Sequence, residues 1–472
     1  MNHIWTYQSY LPGRLFIICL IHLIFKFFFV IQGGVSAPNF IILMTDDQSW
    51  VGTSLKMNPN DARTRSDFFL TPNVERLAET GMRFSRGYAP APFCCPTRRS
   101  LLIGQTPARH IYQKDQRNWT TRYRQQLSLP QMLKKADPDY RTAHFGKWDM
   151  RFDHVSPEVM GYDMSDGDTS NETGGGKGSG GPAARKDPKQ IFGITQRTCE
   201  FMEQQQRSGN PFFVQVSHYA VHLDIYYRDQ TLAKVEKLKS GQKHSMPAFA
   251  AMTHDVDQGI GILMEKIHSL GLEDSTYIFF LSDNGGRNTL PGEPVRNLPR
   301  NFPLRDGKGS VYEGGIRVPF IINGPGVQGG VVSHVPVTGL DIFPTMAALV
   351  GYKSELPTAL DGGDLTSIMM NRGKGIVSRG QSFLFFHQAV ARSPETALIM
   401  GDYKLVKTWN KNQLELFNIS TDLEEAKDLS VRHASKVEKM HHLMVNFLAN
   451  IDAETRKTGT KSEVYENAKP KF

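Results

Sequence analysis

Two clusters of oxygen-bearing side chains each follow a run of apolar residues. Asp46 and Asp47 come directly after the run 39–45, and Asp283 and Asn284 follow a second run. Their oxygen atoms could converge on one hard cation, and a donor set without histidine or cysteine favours Ca²⁺, with Mg²⁺ second, over zinc. Asp, Asn and Gly are also the residues that turns prefer, so each cluster taken alone is more simply interpreted as a turn.

A short segment with two cysteines could supply a nucleophile. In Cys94-Cys95-Pro96-Thr97-Arg98 a thiol comes just before a proline, which is favoured in the first turn of a helix. The free N–H groups at a helix start favour anions. Arg98 could bridge the nucleophile and the acidic metal ligands. Taken alone, Cys94 is more simply interpreted as a core residue or as half of a disulfide.

Three basic residues are candidates for binding an anionic substrate. Lys147 follows Gly146, His222 follows the apolar run 212–216, and Lys308 lies between two glycines. Cationic donors of this kind can bind the oxygens of a tetrahedral anion and oppose the charge that develops in its transition state. The alternative is solvated surface charge for the lysines, and a structural side chain for the histidine.

The elements that must position these residues alternate between strands and helices. Continuous apolar runs, typical of strands buried on both faces, are found at 39–45, 212–216, 277–281 and 318–322. Between them, an apolar stripe at spacings of three and four from Met252 to Leu270 predicts a helix. This alternation predicts an α/β domain, in which ligands bind beyond the carboxyl ends of the strands.

The C-terminal part of the chain has a different pattern. Short alternating segments predict an antiparallel sheet, and they are 382–386, 397–400, 403–407 and 414–417. A helix follows, with Val437 and Phe447 at the two ends of its apolar side. We therefore predict a catalytic domain over 38–375 and a small α+β subdomain over 376–472.

The first 37 residues predict a signal peptide. They contain no acid, and their apolar run 15–30 is shorter than the ~20 residues of a membrane span. Val35-Ser36-Ala37 resembles a cleavage site, although an uncleaved signal anchor is the alternative. N-glycosylation sequons at Asn118, Asn171 and Asn418 agree with a secretory route that ends outside the cell or in a lysosome-like lumen.

Composition narrows the class of protein. Of the 472 residues, 39% are hydrophobic and 22% charged, which excludes a disordered, collagen-like or polytopic membrane protein. The net charge of +8 comes from scattered basic residues, so it permits an acidic substrate but does not indicate nucleic-acid binding.

The cysteine segment resembles the sulfatase signature. Cys94, Pro96, Arg98 and Gly104 match the family's Cys-x-Pro-x-Arg pattern with a glycine six residues later. Further segments that look like family motifs are Asp46-Asp47, Gly146-Lys147-Trp148, Ala220-Val221-His222, Asp283-Asn284, Gly307-Lys308-Gly309, 312–319, 401–406 and 414–422. The matches extend in order from about residue 38 to 430. The resemblance implies an alkaline-phosphatase-like sandwich, with a large mostly parallel sheet between helices.

The resemblance also implies a site and an activity. In that family a formylglycine-generating enzyme oxidises the cysteine, here Cys94, to formylglycine (3-oxoalanine), whose hydrate is the nucleophile and a metal ligand. The implied metal ligands are therefore Asp46, Asp47, Asp283, Asn284 and the modified Cys94. The implied catalytic residues are Cys94, Arg98, Lys147, Asp149, His222 and Lys308, of which Lys147, His222 and Lys308 bind sulfate.

The implied reaction is hydrolysis of a sulfate ester of a carbohydrate or an aryl alcohol, in an arylsulfatase-like or N-acetylgalactosamine-sulfatase-like enzyme. Phosphonate or phosphate ester hydrolysis at the same site is an alternative, as is a weakly active relative that binds sulfated glycans. Two-zinc phosphatases are disfavoured because Asn284 stands where they have histidine. Substrate choice is expected to depend on the loops 111–126, 153–189 and 287–306.

One position departs from the family pattern. Asp149 stands two residues after Lys147, where the family usually has a histidine that serves the proton transfer expelling sulfate. We expect Asp149 to substitute for it with an altered pH profile, since a carboxylate is a base but adds negative charge. The alternatives are that His144 takes the role or that turnover is weak.

Counting the remaining cysteines leads to one more prediction. If the signal peptide is removed and Cys94 is converted, Cys95 and Cys199 remain, and they could form a disulfide.

Overall fold

A computed structural model describes residue 1 and residues 37–110, 125–150, 155–174, 185–389 and 393–453. The strands in these ranges are β1 (Asn39–Thr45), β2 (Met82–Phe84), β3 (Gly87–Tyr88), β4 (Arg141–Gly146), β5 (Met164–Ser165), β6 (Phe212–Ser217), β7 (Thr276–Ser282), β8 (Phe320–Asn323), β9 (Val331–Ser333), β10 (Val337–Thr338), β11 (Leu384–Gln388), β12 (Glu395–Met400), β13 (Tyr403–Thr408) and β14 (Gln413–Asn418). The α-helices are α1 (Pro72–Thr80), α2 (Cys94–Ile103), α3 (Leu129–Ala136), α4 (Ile191–Ser208), α5 (Asp229–Val235), α6 (Pro247–Ser269), α7 (Glu313–Ile316), α8 (Ile342–Leu349), α9 (Thr366–Met370) and α10 (Ala434–Asn450).

The large sheet has eight strands in the order β5-β4-β6-β1-β7-β8-β2-β9. Its centre is parallel: β1 pairs with β6 on one side and with β7 on the other. Every residue of β1, β6 and β7 is buried, because helices cover both faces of the sheet. The predicted α/β sandwich with a mostly parallel sheet is confirmed.

The predicted strands and helices are found close to their predicted bounds, with one difference in direction. The run 318–322 forms β8, which is antiparallel to β7 rather than parallel. A parallel return requires a crossover of a dozen or more residues, usually a helix. Between β7 and β8 the described chain forms only the four-residue helix α7, with no longer helix that could serve as such a crossover.

The long helix α6 packs against α1, α4 and α5. Its apolar residues Ile260, Leu263 and Ile267 join the core cluster that contains Ile41 of β1 and Val214 of β6. This packing fixes the ends of the central strands relative to one another.

The C-terminal sheet has the order β11-β12-β13-β14 and is antiparallel, as predicted. Helix α10 packs on it through Met440, Met444 and Phe447. A separate apolar cluster joins the sheet to earlier parts of the chain, including Tyr88 and Val311. The boundary at residue 375 stays a prediction.

Residues 2–36, which include most of the predicted signal peptide, lie outside the described residues. Within the described ranges, no helix combines the length and the apolar character needed to cross a membrane.

Candidate active site

The register of the central strands brings the two acidic clusters together. Thr45 at the end of β1 is paired with Ser282 at the end of β7, so the next residues of both strands leave the sheet at the same edge. The Asp283 N–H donates to the carbonyl of Thr45 at 3.0 Å. The Asp47 N–H donates to Asp283 Oδ1 at 3.1 Å. All four residues of the two clusters are buried: Asp46, Asp47, Asp283 and Asn284.

Helix α2 begins at Cys94, and its fifth residue contacts the acidic cluster. Phe93 precedes the helix in an extended conformation, and Cys94 is buried in its first turn. The Arg98 guanidinium donates to Asp283 Oδ2 from Nε at 3.0 Å and from Nη2 at 2.7 Å. Its Nη1 donates to the carbonyl of Lys147 at 2.6 Å. Arg98 therefore joins the cysteine helix to Asp283 and to the carbonyl of Lys147, and its predicted bridge to the nucleophile stays a prediction.

Two lysines form ion pairs with the two adjacent carboxylates that directly follow β1. Lys147 Nζ pairs with Asp46, and Lys308 Nζ pairs with Asp47. Lys147 follows β4, and its N–H donates to the carbonyl of Ser217 at the end of β6 at 2.7 Å. The loop of Lys308 is held by the Gly309 N–H, which donates to the carbonyl of Pro92 at 3.0 Å. Both ammonium groups thus lie beside the start of α2.

His222 belongs to the same cluster. Its Nε2 lies 3.8 Å from Asp47 Oδ2, and its Nδ1 lies 2.7 Å from the carbonyl oxygen of Leu223. Because a carbonyl only accepts, Nδ1 is the protonated nitrogen and Nε2 faces Asp47. Burial lowers the pKa of His222, although the charges of Asp46 and Asp47 oppose this. One ligand atom each from Asp46, Asp47 and His222 lie within 4.8 Å of one another.

Several oxygens of the cluster suit a bound cation. Among the described residues, Asp46 Oδ1, Asp47 Oδ2 and Asn284 Oδ1 are buried and have no hydrogen-bond partner. Leaving buried carboxylate oxygens unpaired is costly, whereas a divalent cation would satisfy them. The oxygen donors fit Ca²⁺ or Mg²⁺, and His222 is an additional donor that sequence reasoning assigned to sulfate alone.

Burial and neighbouring charges both change the pKa values of the titratable groups in the cluster. Burial raises the pKa of Asp283 to about 6, and the charge of Asp46 adds to the increase. Burial also acts on Asp46, but Lys147 and the other nearby cations outweigh it and hold the pKa of Asp46 well below its usual range. Burial raises the pKa of the Cys94 thiol. Burial therefore disfavours the thiolate form of an unmodified Cys94.

Asp149 is buried at the edge of the cluster with φ 55°. Its Oδ2 lies 3.4 Å from Lys147 Nζ. His144, the alternative for its role, lies within β4, where its Nε2 is 3.2 Å from Ser217 Oγ and its ring packs edge-on against Trp148. Asp149 thus contacts the candidate sulfate-binding lysine, whereas His144 contacts Ser217 and Trp148.

The predicted disulfide between Cys95 and Cys199 is wrong: in the described chain no bond joins them. Cys95 belongs to α2, which packs against α8, whereas Cys199 belongs to α4, which packs against α6 and the sheet. The two thiols are therefore buried in different helix contacts.

Of the predicted glycosylation sites, Asn171 and Asn418 are partly exposed, and Asn118 lies outside the described residues.

The candidate substrate loops 111–126 and 153–189 are described only in part, whereas 287–306 is described throughout.

Sequence reasoning missed one residue beside the cluster. Lys189, at the end of the candidate loop 153–189, is buried, and burial lowers its pKa to about 8, although the charges of Asp46 and Asp47 oppose this. No motif distinguishes this lysine in the sequence, and its neighbours Pro188 and Gln190 indicate only a turn.

Comparisons with known proteins agree with this geometry. The family model described as Sulfatase matches residues 38–352. N-acetylgalactosamine-6-sulfatase of Mus musculus is 26% identical over 437 residues, which cover 84% of this chain and 77% of that protein. Arylsulfatase A of Homo sapiens is 28% identical over 391 residues, which cover 74% of this chain and 70% of that protein.

Among solved structures, Ps i-CgsB in complex with k-i-k-neocarrahexaose superimposes with a TM-score of 0.72 at 23% identity, covering 92% of this chain and 96% of that one, so it shares the fold. With a family model that matches most of its length and the same family's names on its curated relatives, the chain belongs to the sulfatase family and is a sulfatase.

Proposed function

We propose that this sulfatase hydrolyses sulfate esters of a carbohydrate, with an aryl sulfate as a surrogate substrate, at the cluster around Cys94. The observation that supports this most directly is the convergence of Cys94, Arg98, Lys147 and Lys308 on the carboxylates at the ends of β1 and β7. The names of its relatives, N-acetylgalactosamine-6-sulfatase and arylsulfatase A, support both substrate classes.

Two groups are needed that the chain does not encode directly. We propose formylglycine at position 94, made by a formylglycine-generating enzyme, and one Ca²⁺, or less favourably Mg²⁺, held by Asp46, Asp47, Asp283 and Asn284. Together they would supply an oxygen nucleophile whose hydroxyl is acidified by the cation. The buried unpaired oxygens support the cation, and the raised pKa of the Cys94 thiol argues against a thiolate in this role.

The remaining residues bind and orient the ester. Lys147 and Lys308 extend from different loops toward adjacent carboxylates, so a sulfate beside them would meet an ammonium group on two sides. These groups would bind its oxygens and oppose the negative charge that grows in the transition state. Arg98 holds Asp283 and the carbonyl of Lys147, and so acts as a positioning residue. His222 is not in the proposed ligand set, so its Nε2 would be available to take or give a proton, since Nδ1 donates to the Leu223 carbonyl.

Conversion of Cys94 is tested by mass analysis of the peptide that contains it, together with sulfate release from a chromogenic aryl sulfate. We expect the mass of an aldehyde in place of the thiol, and loss of sulfate release in Cys94→Ala. Cys95→Ala is the matched control and should retain both. An unmodified thiol in a fully active protein would contradict the proposal.

The cation is tested by chelation and replacement. Removing divalent ions should abolish sulfate release. Ca²⁺ should restore more activity than Mg²⁺, because four protein ligands suit Ca²⁺, whereas Mg²⁺ usually keeps several waters and takes only one or two carboxylates. Elemental analysis of the purified protein identifies the resident ion. Zinc at one equivalent per chain would overturn the assignment.

The role of Asp149 is tested by two variants. If Asp149 serves proton transfer, Asp149→Ala should lower turnover by ~10²–10⁴-fold, the usual contribution of a general acid or base, and should change the pH profile. Asp149→His should retain activity with the profile displaced. Unchanged turnover in Asp149→Ala would show that the carboxylate only neutralises Lys147.

The weakly active alternative makes a different prediction for the same experiments. The pair between Asp149 and Lys147 favours it, since a carboxylate beside a sulfate-binding lysine weakens anion binding. A converted Cys94 without sulfate release from any ester of a sulfated-glycan panel would support that alternative.

We also propose that the chain enters the secretory pathway and is glycosylated at Asn171 and Asn418. Their partial exposure supports this. Treatment of the secreted protein with an N-glycosidase should lower its mass, and Asn171→Gln and Asn418→Gln should each remove one glycan. A secreted protein with unmodified asparagines would contradict the glycosylation.

A further inference from the structure

Lys189 lies in an unusual turn just before helix α4. Lys189 and Gln190 both have a positive φ, 55° and 54°, which is uncommon for residues other than glycine. Asp187 braces the turn, because its carboxylate accepts from the Phe192 N–H at 2.8 Å and from the Gly193 N–H at 2.9 Å. Non-glycine residues in this region of backbone space are strained and concentrate at functional sites.

The side chain of Lys189 is buried without a salt-bridge partner. The residue is 3% exposed, and its Nζ lies 5.3 Å from the ring centroid of Tyr226. Among the described residues, no carboxylate oxygen lies within 4.0 Å of this Nζ, whereas Lys147 and Lys308 each pair with one. A largely buried lysine without an anionic partner is unfavourable. Its contact with an aromatic face offsets only part of that cost.

Lys189 is also close to the candidate sulfate site. The carboxylates of Asp46, Asp224 and Asp47 raise its pKa and the Lys147 ammonium lowers it, while burial is the largest effect and lowers the pKa to about 8. The packing agrees: Ile191, two residues after Lys189, lies in one apolar cluster with Ala220 and Val221, which directly precede His222. None of the roles derived above uses it.

We propose that Lys189 binds a second anionic group of the substrate, a carboxylate or another sulfate, next to the sulfate that is removed. The inference rests on the proposed function and names its substrate class: a carbohydrate with at least two anionic groups. The second anion would supply the partner that Lys189 lacks. Tyr226, half-buried against the ammonium, would contribute a ring beside the sugar.

The experiment compares two substrates in three proteins. The substrates are a chromogenic aryl monosulfate and a disulfated oligosaccharide, and the proteins are wild type, Lys189→Met and Lys186→Met. Lys186 is an exposed lysine of the same loop and is the matched control. We expect Lys189→Met to raise KM for the disulfated oligosaccharide by about 10-fold or more, the equivalent of one charge-assisted hydrogen bond, while kcat and KM for the aryl sulfate change less than 2-fold. Lys189→Arg should retain most of the preference.

A second measurement separates this inference from the proposed function. Cys94→Ala cannot be converted, so equilibrium binding of mono- and disulfated oligosaccharides to it does not depend on turnover. The disulfated ligand should bind more tightly, and adding Lys189→Met should remove the difference. Replacing the second sulfate by a carboxylate identifies which anion Lys189 prefers.

Two results would overturn the inference. If Lys189→Met raises KM equally for both substrates, the lysine binds the cleaved sulfate or only supports the loop. If it raises KM for neither, the lysine does not contact the substrate. If the wild type releases no sulfate but Cys94→Ala still prefers the disulfated ligand through Lys189, the proposed activity fails and the anion site stands.

Discussion

Replacing Lys404 should destabilise the whole chain, because this lysine is the centre of a buried charge network. It lies on β13 with no exposed side-chain surface, and its Nζ is 2.9 Å from Glu313 Oε1 and 2.9 Å from Glu425 Oε1. Glu313 also pairs with Arg317 at 3.1 Å. Glu313 begins α7, five residues after Lys308, so the network fixes the C-terminal sheet to the loop that holds a candidate sulfate-binding lysine.

The size of the effect follows from the partners that remain. Lys404→Met keeps the length of the side chain but leaves two buried carboxylates facing each other, and breaking a buried pair in this way costs about 3–5 kcal/mol. With an unfolding entropy of about 2.1 cal/mol/K per residue over the roughly 390 residues that the structure describes, that cost lowers Tm by about 4–6 °C. At pH 5 the loss should be smaller, because burial raises the pKa of Glu425 to about 7 and it is already neutral there.

The assay is calorimetry of wild type, Lys404→Met and Lys427→Met at pH 8 and pH 5. Lys427 is exposed, so Lys427→Met should leave Tm unchanged at both values. Lys404→Met combined with Glu425→Gln should recover part of the loss at pH 8. A Tm of Lys404→Met within 1 °C of wild type at pH 8, or an equal fall at both pH values, would refute the electrostatic reasoning.

Three further predictions concern stability and geometry. Gly146→Ala should reduce kcat at least 10-fold, because φ at Gly146 is +96° and an added Cβ would lie 2.0 Å from the Ser217 carbonyl oxygen. The clash would displace Lys147, the next residue. Gly209→Ala is the control: it has open space around the added Cβ and should retain kcat. Asp257→Ala should cost about 1–2 kcal/mol, measured as a lower Tm, because the carboxylate accepts from two N–H groups at the start of α1. Burial and the charge of Glu313 raise the pKa of Glu425 from 4.5 to about 7, so its contribution to stability is complete below pH 4.5 and is lost as pH rises through 7. Between pH 4 and 8, Tm should therefore change less with pH in Glu425→Gln than in wild type. The same dependence of Tm on pH in both proteins would contradict this.

The candidate site was predictable to the extent that it depends on strand ends. The parallel strands β1 and β7 are continuous apolar runs in the sequence, and the carboxyl ends of neighbouring parallel strands meet at one edge. Asp46 and Asp283 directly follow paired residues, so they converge once β1 and β7 are neighbours in the sheet. Cys94 taken alone had a simpler structural interpretation, and the resemblance of its segment to the sulfatase signature made it a candidate nucleophile.

Other features depended on contacts between distant segments. The direction of β8 was not readable from its composition, because a buried strand has the same apolar run in either orientation. The disulfide predicted by counting cysteines is absent from the described chain, because counting contains no information on which helices pack together. The network around Lys404 joins residues 313, 404 and 425, and each alone resembles a surface charge.

The order of the elements, the polar residues at their ends and the resemblance to a family could be read from the chain alone. They depend on local periodicity and on spacing within single segments. Which charges are paired and which are not became visible only in the folded molecule. Lys147, Lys189 and Lys308 are the same letter in the chain, yet Lys189 alone of these three is buried without a carboxylate partner among the described residues. Burial and pairing are properties of the space around a group, and several segments far apart in the chain contribute to that space.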